Sequence, residues 1–181
     1  MLNISSPNTL NLRNLHNREE LSQFLKAVRS LTDEMSITTP IILKISPDID
    51  QNTKEGIAEL TLEHKIDGLI VSNTTVHRDN LHSYQSEIGG LSGKPLFKLS
   101  TELLSDMYKL TKGKILLIGC GGISNGSDAY EKIKSGASLI QLYTALIYHG
   151  PRVVKKINLE LVELLKRDGF NNVSDAVGCI H

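Results

Sequence analysis

Residues 114–126 read KILLIGCGGISNG. A short apolar run without polar alternation passes into a glycine-rich turn. Ser127 to Ser135 then reads as a short helix closed by Gly136. An apolar run of this kind suits a strand buried on both faces, as in a parallel sheet. The same unit recurs outward in both directions. IILKI (41–45), GLIVSN (68–73) and SLIQLY (138–143) are further short apolar runs rich in β-branched residues. Between them the apolar period is helical. Leu21, Phe24, Leu25 and Val28 follow Asn17, with Glu20 in a capping-box-like position. Ile57 and Leu60 follow Asn52 and Thr53; Leu103, Met107 and Leu110 form a third stripe. Val154, Ile157, Leu161 and Leu164 form the last, ended by Gly169.

Strand and helix therefore alternate through four clear strands, with MLNIS as the stub of an earlier one. That order predicts an α/β fold with a parallel sheet. A doubly wound sheet would carry a glycine fingerprint after its first strand, and none stands there. A (β/α)8 barrel needs roughly 250 residues, and this chain of 181 holds about five βα units. The expected architecture is the C-terminal portion of a (β/α)8 TIM barrel, one domain over residues 1–181, with the N-terminal strands absent. The opening stretch NISSPNT (3–9) agrees: it reads as the end of a buried strand running into a polar loop.

Acidic and basic residues balance at 20 each, and 40% of residues are hydrophobic. The Lys and Arg residues are scattered, so no nucleic-acid partner is expected. Cys120 and Cys179 lack metal-ligand spacing and are too few for a disulfide framework, and the six histidines show no metal-ligand pairing. His16, His64, His77, His82, His149 and His181 are read as surface or loop residues, and no metal is expected. No apolar run approaches the ~20 residues of a membrane span.

In a barrel the chemistry gathers at the C-terminal ends of the strands. Those ends carry Asn3 and Ser6, then Lys44, then Ser72, Asn73 and Thr74, then Gly119 to Gly122, then Tyr143 and Thr144. Lys44 inside IILKI is either a strand-end lysine snorkelling to water or a pocket cation that stabilises negative charge. GCGGI, together with GGLSGKP (89–95) and QLYTAL (141–146), suits a backbone cradle for a phosphate. SNTT (72–75) is either a plain turn or an amide and hydroxyl pair reading a planar polar ligand. Ser6 lies in no G-x-S-x-G elbow and has no activating partner nearby, which argues against a nucleophile.

The ordered set NISSPNT, ILKISPD, GLIVSNTT, GGLSGKPL, IGCGGISNG with DAYEKIKSGAS, and QLYTAL followed by GP resembles the dihydroorotate dehydrogenase family over the whole chain. The resemblance implies a (β/α)8 barrel that binds FMN and oxidises dihydroorotate to orotate in pyrimidine biosynthesis. Ser6, where other members carry cysteine, resembles the class 2, quinone-dependent enzymes. That implies ubiquinone as acceptor and, for a full-length eukaryotic parent, association with the mitochondrial inner membrane. By the same resemblance Ser6 is the base that takes the C5 proton of dihydroorotate, and Lys44 is a cation beside the flavin. Asn3, Asn8, Asn73 and Thr74 correspond to orotate-binding positions. Asn3, Lys44, Ser72, Ser92, Gly93, Gly121, Gly122, Tyr143 and Thr144 correspond to FMN contacts. Cys120 takes a place usually filled by a small apolar residue. Three alternatives stand beside this reading: another FMN-dependent barrel oxidoreductase, a truncated product without catalytic role, and a non-redox phosphate-binding barrel. The chain by itself is expected to be an incomplete, inactive piece of the enzyme.

Overall fold

A computed structural model of the chain describes residues 1–78, 81 and 87–181. Five strands form one parallel sheet in the order β1 to β5: Leu2–Asn3, Ile42–Ile45, Gly68–Val71, Leu116–Cys120 and Leu139–Gln141. Each pairs with its sequence neighbour, as βα units in series require. The register sets Leu43 beside Leu69 and Leu69 beside Leu117. One residue on, Asn3 lies beside Lys44, Lys44 beside Ile70, Ile70 beside Ile118 and Ile118 beside Leu139.

Because side chains alternate along a strand, these two rows face opposite ways. Leu43, Leu69 and Leu117 are fully buried in a core built with α1 (Arg18–Glu34), α2 (Gln51–Glu63) and α3 (Phe97–Thr111). Leu21 and Leu25 come from α1, Ile57 and Leu60 from α2, and Leu103, Leu104 and Met107 from α3. Smaller clusters follow. Ile123, Ala129, Ala145, Val153 and Ile157 join α4 (Gly126–Lys134), α5 (Thr144–His149) and α6 (Arg152–Arg167). Tyr130, Ile133, Leu165 and Ala176 tie in α7 (Val173–Ala176).

The helix starts show how side chains satisfy the first backbone amides. The Asn17 side chain caps α1 by accepting the Glu19 N–H at 3.0 Å, rather than through a box with Glu20. α2 begins before Asn52 and Thr53, because Asp50 is the cap and accepts the Thr53 N–H at 2.8 Å. Asn125 caps α4 in the same way at 2.8 Å. QLYTAL, expected as loop, instead opens α5 at Thr144.

Two further expectations are corrected. His16 is not a surface residue: it is buried at the end of the 3-10 turn Leu12–His16. Its Nδ1–H donates to the Arg13 carbonyl at 3.0 Å and its Nε2 accepts the Ser46 N–H at 3.2 Å, pinning the exit of β2. Burial favours the neutral ring that this pairing needs and lowers its pKa. His82 lies outside the described residues. Burial on both faces holds for β3, all four of whose residues are buried, but not for the later strands. On the face away from the helices Leu116 is 40% and Leu139 55% exposed. Among the described residues, β1 and β5 each pair on one side only.

Open sheet edges template pairing with other chains, and covering each 100 Å² of apolar surface is worth about 2.5 kcal/mol. Residues 1–181 expressed alone should therefore self-associate at micromolar concentration. Light scattering coupled to size exclusion checks this; a stable monomer would contradict it.

Candidate active site

A cavity of about 710 Å³ opens at the C-terminal ends of the strands, within the size range of small-molecule sites. It gathers most of the residues singled out from sequence. Lys44, Ser72, Asn73, Thr74, Ser92, Gly93, Gly121, Gly122, Tyr143 and Thr144 all line it. Asn3, Ser6 and Asn8 are not among the lining residues; Asn3 ends β1 beside Lys44, and Ser6 and Asn8 stand on the loop that follows.

Lys44 is placed by the ladder. It shares the helix-distal face of the sheet with Asn3 and Ile70, its neighbours on either side. Cys120 also lines the cavity and is half-buried; burial raises its thiol pKa, opposed by the positive charges of Lys44 and Lys132.

Asn73 is fixed from both ends. Its side-chain NH2 donates to Ser5 Oγ at 3.0 Å and Asn3 Oδ1 at 3.3 Å, while its Oδ1 accepts the Thr74 N–H at 2.8 Å. Ser5, fully buried, donates to Asn3 Oδ1 through its hydroxyl at 3.0 Å and its amide at 3.2 Å. Asn3, Ser5 and Asn73 thus form one amide–hydroxyl network that joins the β1 and β3 loops. Ser5 was not singled out in the sequence, where a second serine in SSPNT looks interchangeable with the first.

Ser6 is half-buried, and its Oγ accepts the Asn8 N–H at 3.3 Å. Its loop is packed against the segment at Gly89–Gly90. A Cβ on Gly90 would lie 1.8 Å from Thr74 Oγ1 and 3.0 Å from Pro7 Cγ, and one on Gly89 would lie 3.3 Å from Asn8 Oδ1. Beneath these loops Asp48 accepts the Arg13 guanidinium at 3.2 Å, the Val76 N–H at 2.9 Å and the Thr75 hydroxyl. Thr75 and Leu91 exchange backbone hydrogen bonds of 3.2 and 2.7 Å, which fastens the two rim segments together.

The glycine-rich side is a convergence of three segments. Thr144 Oγ1 donates to Ser92 Oγ at 2.9 Å, and a Cβ on Gly93 would press on Thr144 Cγ2 at 3.0 Å. Gly121 and Gly122 hold φ of +116° and +76°, where side chains are disfavoured. A Cβ on Gly122 would meet Phe97 Cβ at 2.4 Å. Lys94 then bridges to Asp128 at 2.7 Å, and the other Asp128 oxygen accepts the Ser124 N–H and hydroxyl at 2.9 and 2.8 Å. Burial disfavours the Asp128 carboxylate, but hydrogen bonds from Lys94 and Ser124 prevail and lower its pKa. Lys94, Asp128, Ser100 and Lys132 escaped the sequence reading. Asp128 and Lys132 are spaced i,i+4 on a short helix, the usual pattern of an exposed ion pair.

The fold and site define an α/β protein of barrel type, with a cationic, amide-lined and glycine-cradled cavity at the strand ends. Residues 1–165 match the family model of dihydroorotate dehydrogenase. A mitochondrial quinone-type dihydroorotate dehydrogenase of Oryza sativa subsp. japonica is 51% identical over 98% of this chain and 39% of its own. That of Mus musculus is 49% identical over 100% and 47%, and a bacterial one of Azorhizobium caulinodans is 49% identical over 97% and 51%. A crystal structure of the Eimeria tenella dihydroorotate dehydrogenase with ferulenol superposes with a TM-score of 0.93 at 41% identity. It is covered over 53% of its length by 99% of this chain. The chain belongs to the dihydroorotate dehydrogenase family. It spans about half the length of the relatives it matches.

Gly122→Ala should destabilise the cradle by about 1–3 kcal/mol, since it combines left-handed backbone with a clash at Phe97. Thermal unfolding should show a lowered midpoint, and an unchanged midpoint would contradict it.

Proposed function

We propose that the whole protein containing these residues oxidises dihydroorotate to orotate in pyrimidine biosynthesis, with FMN as cofactor and ubiquinone as acceptor. The observation that carries this reading is the cavity that brings Lys44, the Asn73 amide and the segments at Ser92–Gly93, Gly121–Gly122 and Tyr143–Thr144 together. The quinone-type names of the relatives support the choice of acceptor. For a eukaryotic full-length form we place the enzyme at the mitochondrial inner membrane, as the mitochondrial relatives suggest. Among the described residues no helix is long and apolar enough to cross a membrane.

The residues present fit FMN. A Cβ would clash with Ser100 at 121 and with Phe97 at 122 and press on Thr144 at 93, so these positions offer bare backbone to the cavity they line. Ser92, Gly93, Gly121, Gly122, Tyr143 and Thr144 would hold the phosphate and ribityl chain. Asn3, Lys44 and Ser72 would face the ring system. FMN, when bound, supplies the hydride acceptor that side chains lack. Asn3, Asn8, Asn73 and Thr74 would orient orotate and its reduced form; the Asn3–Ser5–Asn73 network leaves little amide freedom, so this orientation needs little ordering on binding. Ser6 takes the C5 proton. A hydroxyl is a poor base in bulk water, and its loop is half-buried against Gly89 and Gly90.

In a full-length protein carrying these residues, Ser6→Ala should slow flavin reduction by dihydroorotate ~10² to 10⁴-fold with FMN still bound. Stopped-flow absorbance reads this directly, and a rate within a few-fold of the parent removes Ser6 from the role. Lys44→Ala should lower the midpoint potential of bound FMN, because a cation in a low-dielectric site favours added negative charge. Spectroelectrochemistry showing an unchanged potential would put Lys44 out of the flavin's reach. Residues 1–181 alone should neither retain stoichiometric FMN nor sustain turnover.

A further inference from the structure

Lys132 is completely buried and takes no part in the chemistry assigned above. It enters the interior past Gly119, where a Cβ would stand 3.2 Å from the Lys132 Cβ. Its ammonium donates to Ser100 Oγ at 2.6 Å and approaches the Phe97 carbonyl at 3.5 Å. It lies 5.1 Å from the centre of the Phe97 ring, a ring that also receives Lys94 at 4.8 Å. The Ser100 hydroxyl lies within hydrogen-bond reach of two carbonyls, Phe97 at 3.1 Å and Gly121 at 3.2 Å.

That second contact has a geometric result. A trans peptide is planar, so its C=O and N–H point in opposite directions. Among the described residues the cis peptide is Val71–Ser72, and the Gly121–Gly122 bond is trans. With the Gly121 carbonyl turned back toward Ser100, the Gly122 N–H turns forward, away from α3 and toward the cavity that Gly121 and Gly122 line.

We propose that Lys132 is a positioning residue for a phosphate monoester: acting through Ser100, it holds the Gly121–Gly122 peptide with its N–H toward the cavity and places a buried positive charge behind it. This rests on the phosphate-site reading of the cavity. The charged and titratable groups around the ammonium are Asp128 and Glu131 on its own helix, Cys120 on β4, and Lys94 across the Phe97 ring. Burial dominates them and pushes the Lys132 pKa down to about 7. An anion bound in front of the ammonium favours its charged form, so binding takes up a proton near neutrality. Affinity for the phosphate group therefore weakens as pH rises through that region.

The test compares FMN with riboflavin, which lacks the phosphate, in a full-length protein carrying this chain. Dissociation constants are read by flavin fluorescence across about pH 6 to 9. The parent should prefer FMN; if it does not, the phosphate reading of the cavity fails first. Given that preference, Lys132→Met should weaken FMN on the order of ten- to a hundredfold near pH 6 and leave riboflavin within about twofold, with the difference shrinking above about pH 8. Equal losses for both flavins, or no loss, overturn the proposal. Should Lys132→Met fail to fold, two readouts remain. Ser100→Ala should reduce the preference for FMN over riboflavin. The Lys132 Cε resonance of the 13C-lysine-labelled parent should titrate at higher pH with FMN bound than with riboflavin. An unchanged preference or an unchanged titration rejects the assignment.

Discussion

The register of the parallel ladder is the constraint on which the rest of the molecule depends. With Leu43, Leu69 and Leu117 in one row, the next row must be Asn3, Lys44, Ile70 and Ile118. A slip of one residue would exchange the two faces. Lys44 would then enter the apolar core among Leu21, Ile57 and Leu104, where an unpaired ammonium is very costly. The leucine row therefore does more than make a core. It aims the cation at the other face, and it brings the ends of five strands to one rim, where their loops must share space.

That sharing is settled by polar groups placed between segments, Ser5 and Asp128 fully or nearly buried among them. Asp48 joins the turn after β1 to the loop after β3; Asp128 joins the loop before α3 to the turn after β4; the Asn3–Ser5–Asn73 network joins β1 to β3. A buried polar group left unsatisfied costs more than a satisfied one contributes. These residues therefore restrict the loops to the few arrangements in which every partner is met. Preorganisation of a ligand site follows from that restriction, with no need for rigid loops as such.

The alternation of apolar runs with helical stripes was enough to reveal the architecture, because buried parallel strands and amphipathic helices have different periods. Ten of the site positions could be placed on one cavity for the same reason: strand ends in a βα series point to one rim. What stayed hidden depended on direction rather than position. Nothing in DAYEKIK says that Lys132 turns inward while Lys134 lies over the Tyr130 ring at 4.7 Å. Nothing in SSPNT says which serine is sealed in and which keeps its hydroxyl at the rim. His16 is similar, since a histidine in a polar stretch gives no sign that a strand-end amide will seek its ring nitrogen. The ends of α2 and α5 were misplaced because Asp50 competed better than Asn52 for the free amides, and because Tyr143 and Thr144 serve equally well as loop or helix start.

The strand order itself has a consequence for how the chain is made. From β2 to β5, each strand pairs with the one synthesised just before it. During translation each strand from β2 to β5 meets an edge that already exists. The paired residues lie 41, 26, 48 and 21 positions apart from β1 to β5, and because closure entropy grows only logarithmically with length, each addition costs a similar amount. The same vectorial growth leaves every intermediate with a fresh, unpaired edge facing crowded solution. Nascent sheets of this kind are aggregation-prone, so the period between the emergence of β3 and the docking of α6 over α4 is when a chaperone would matter most to this chain.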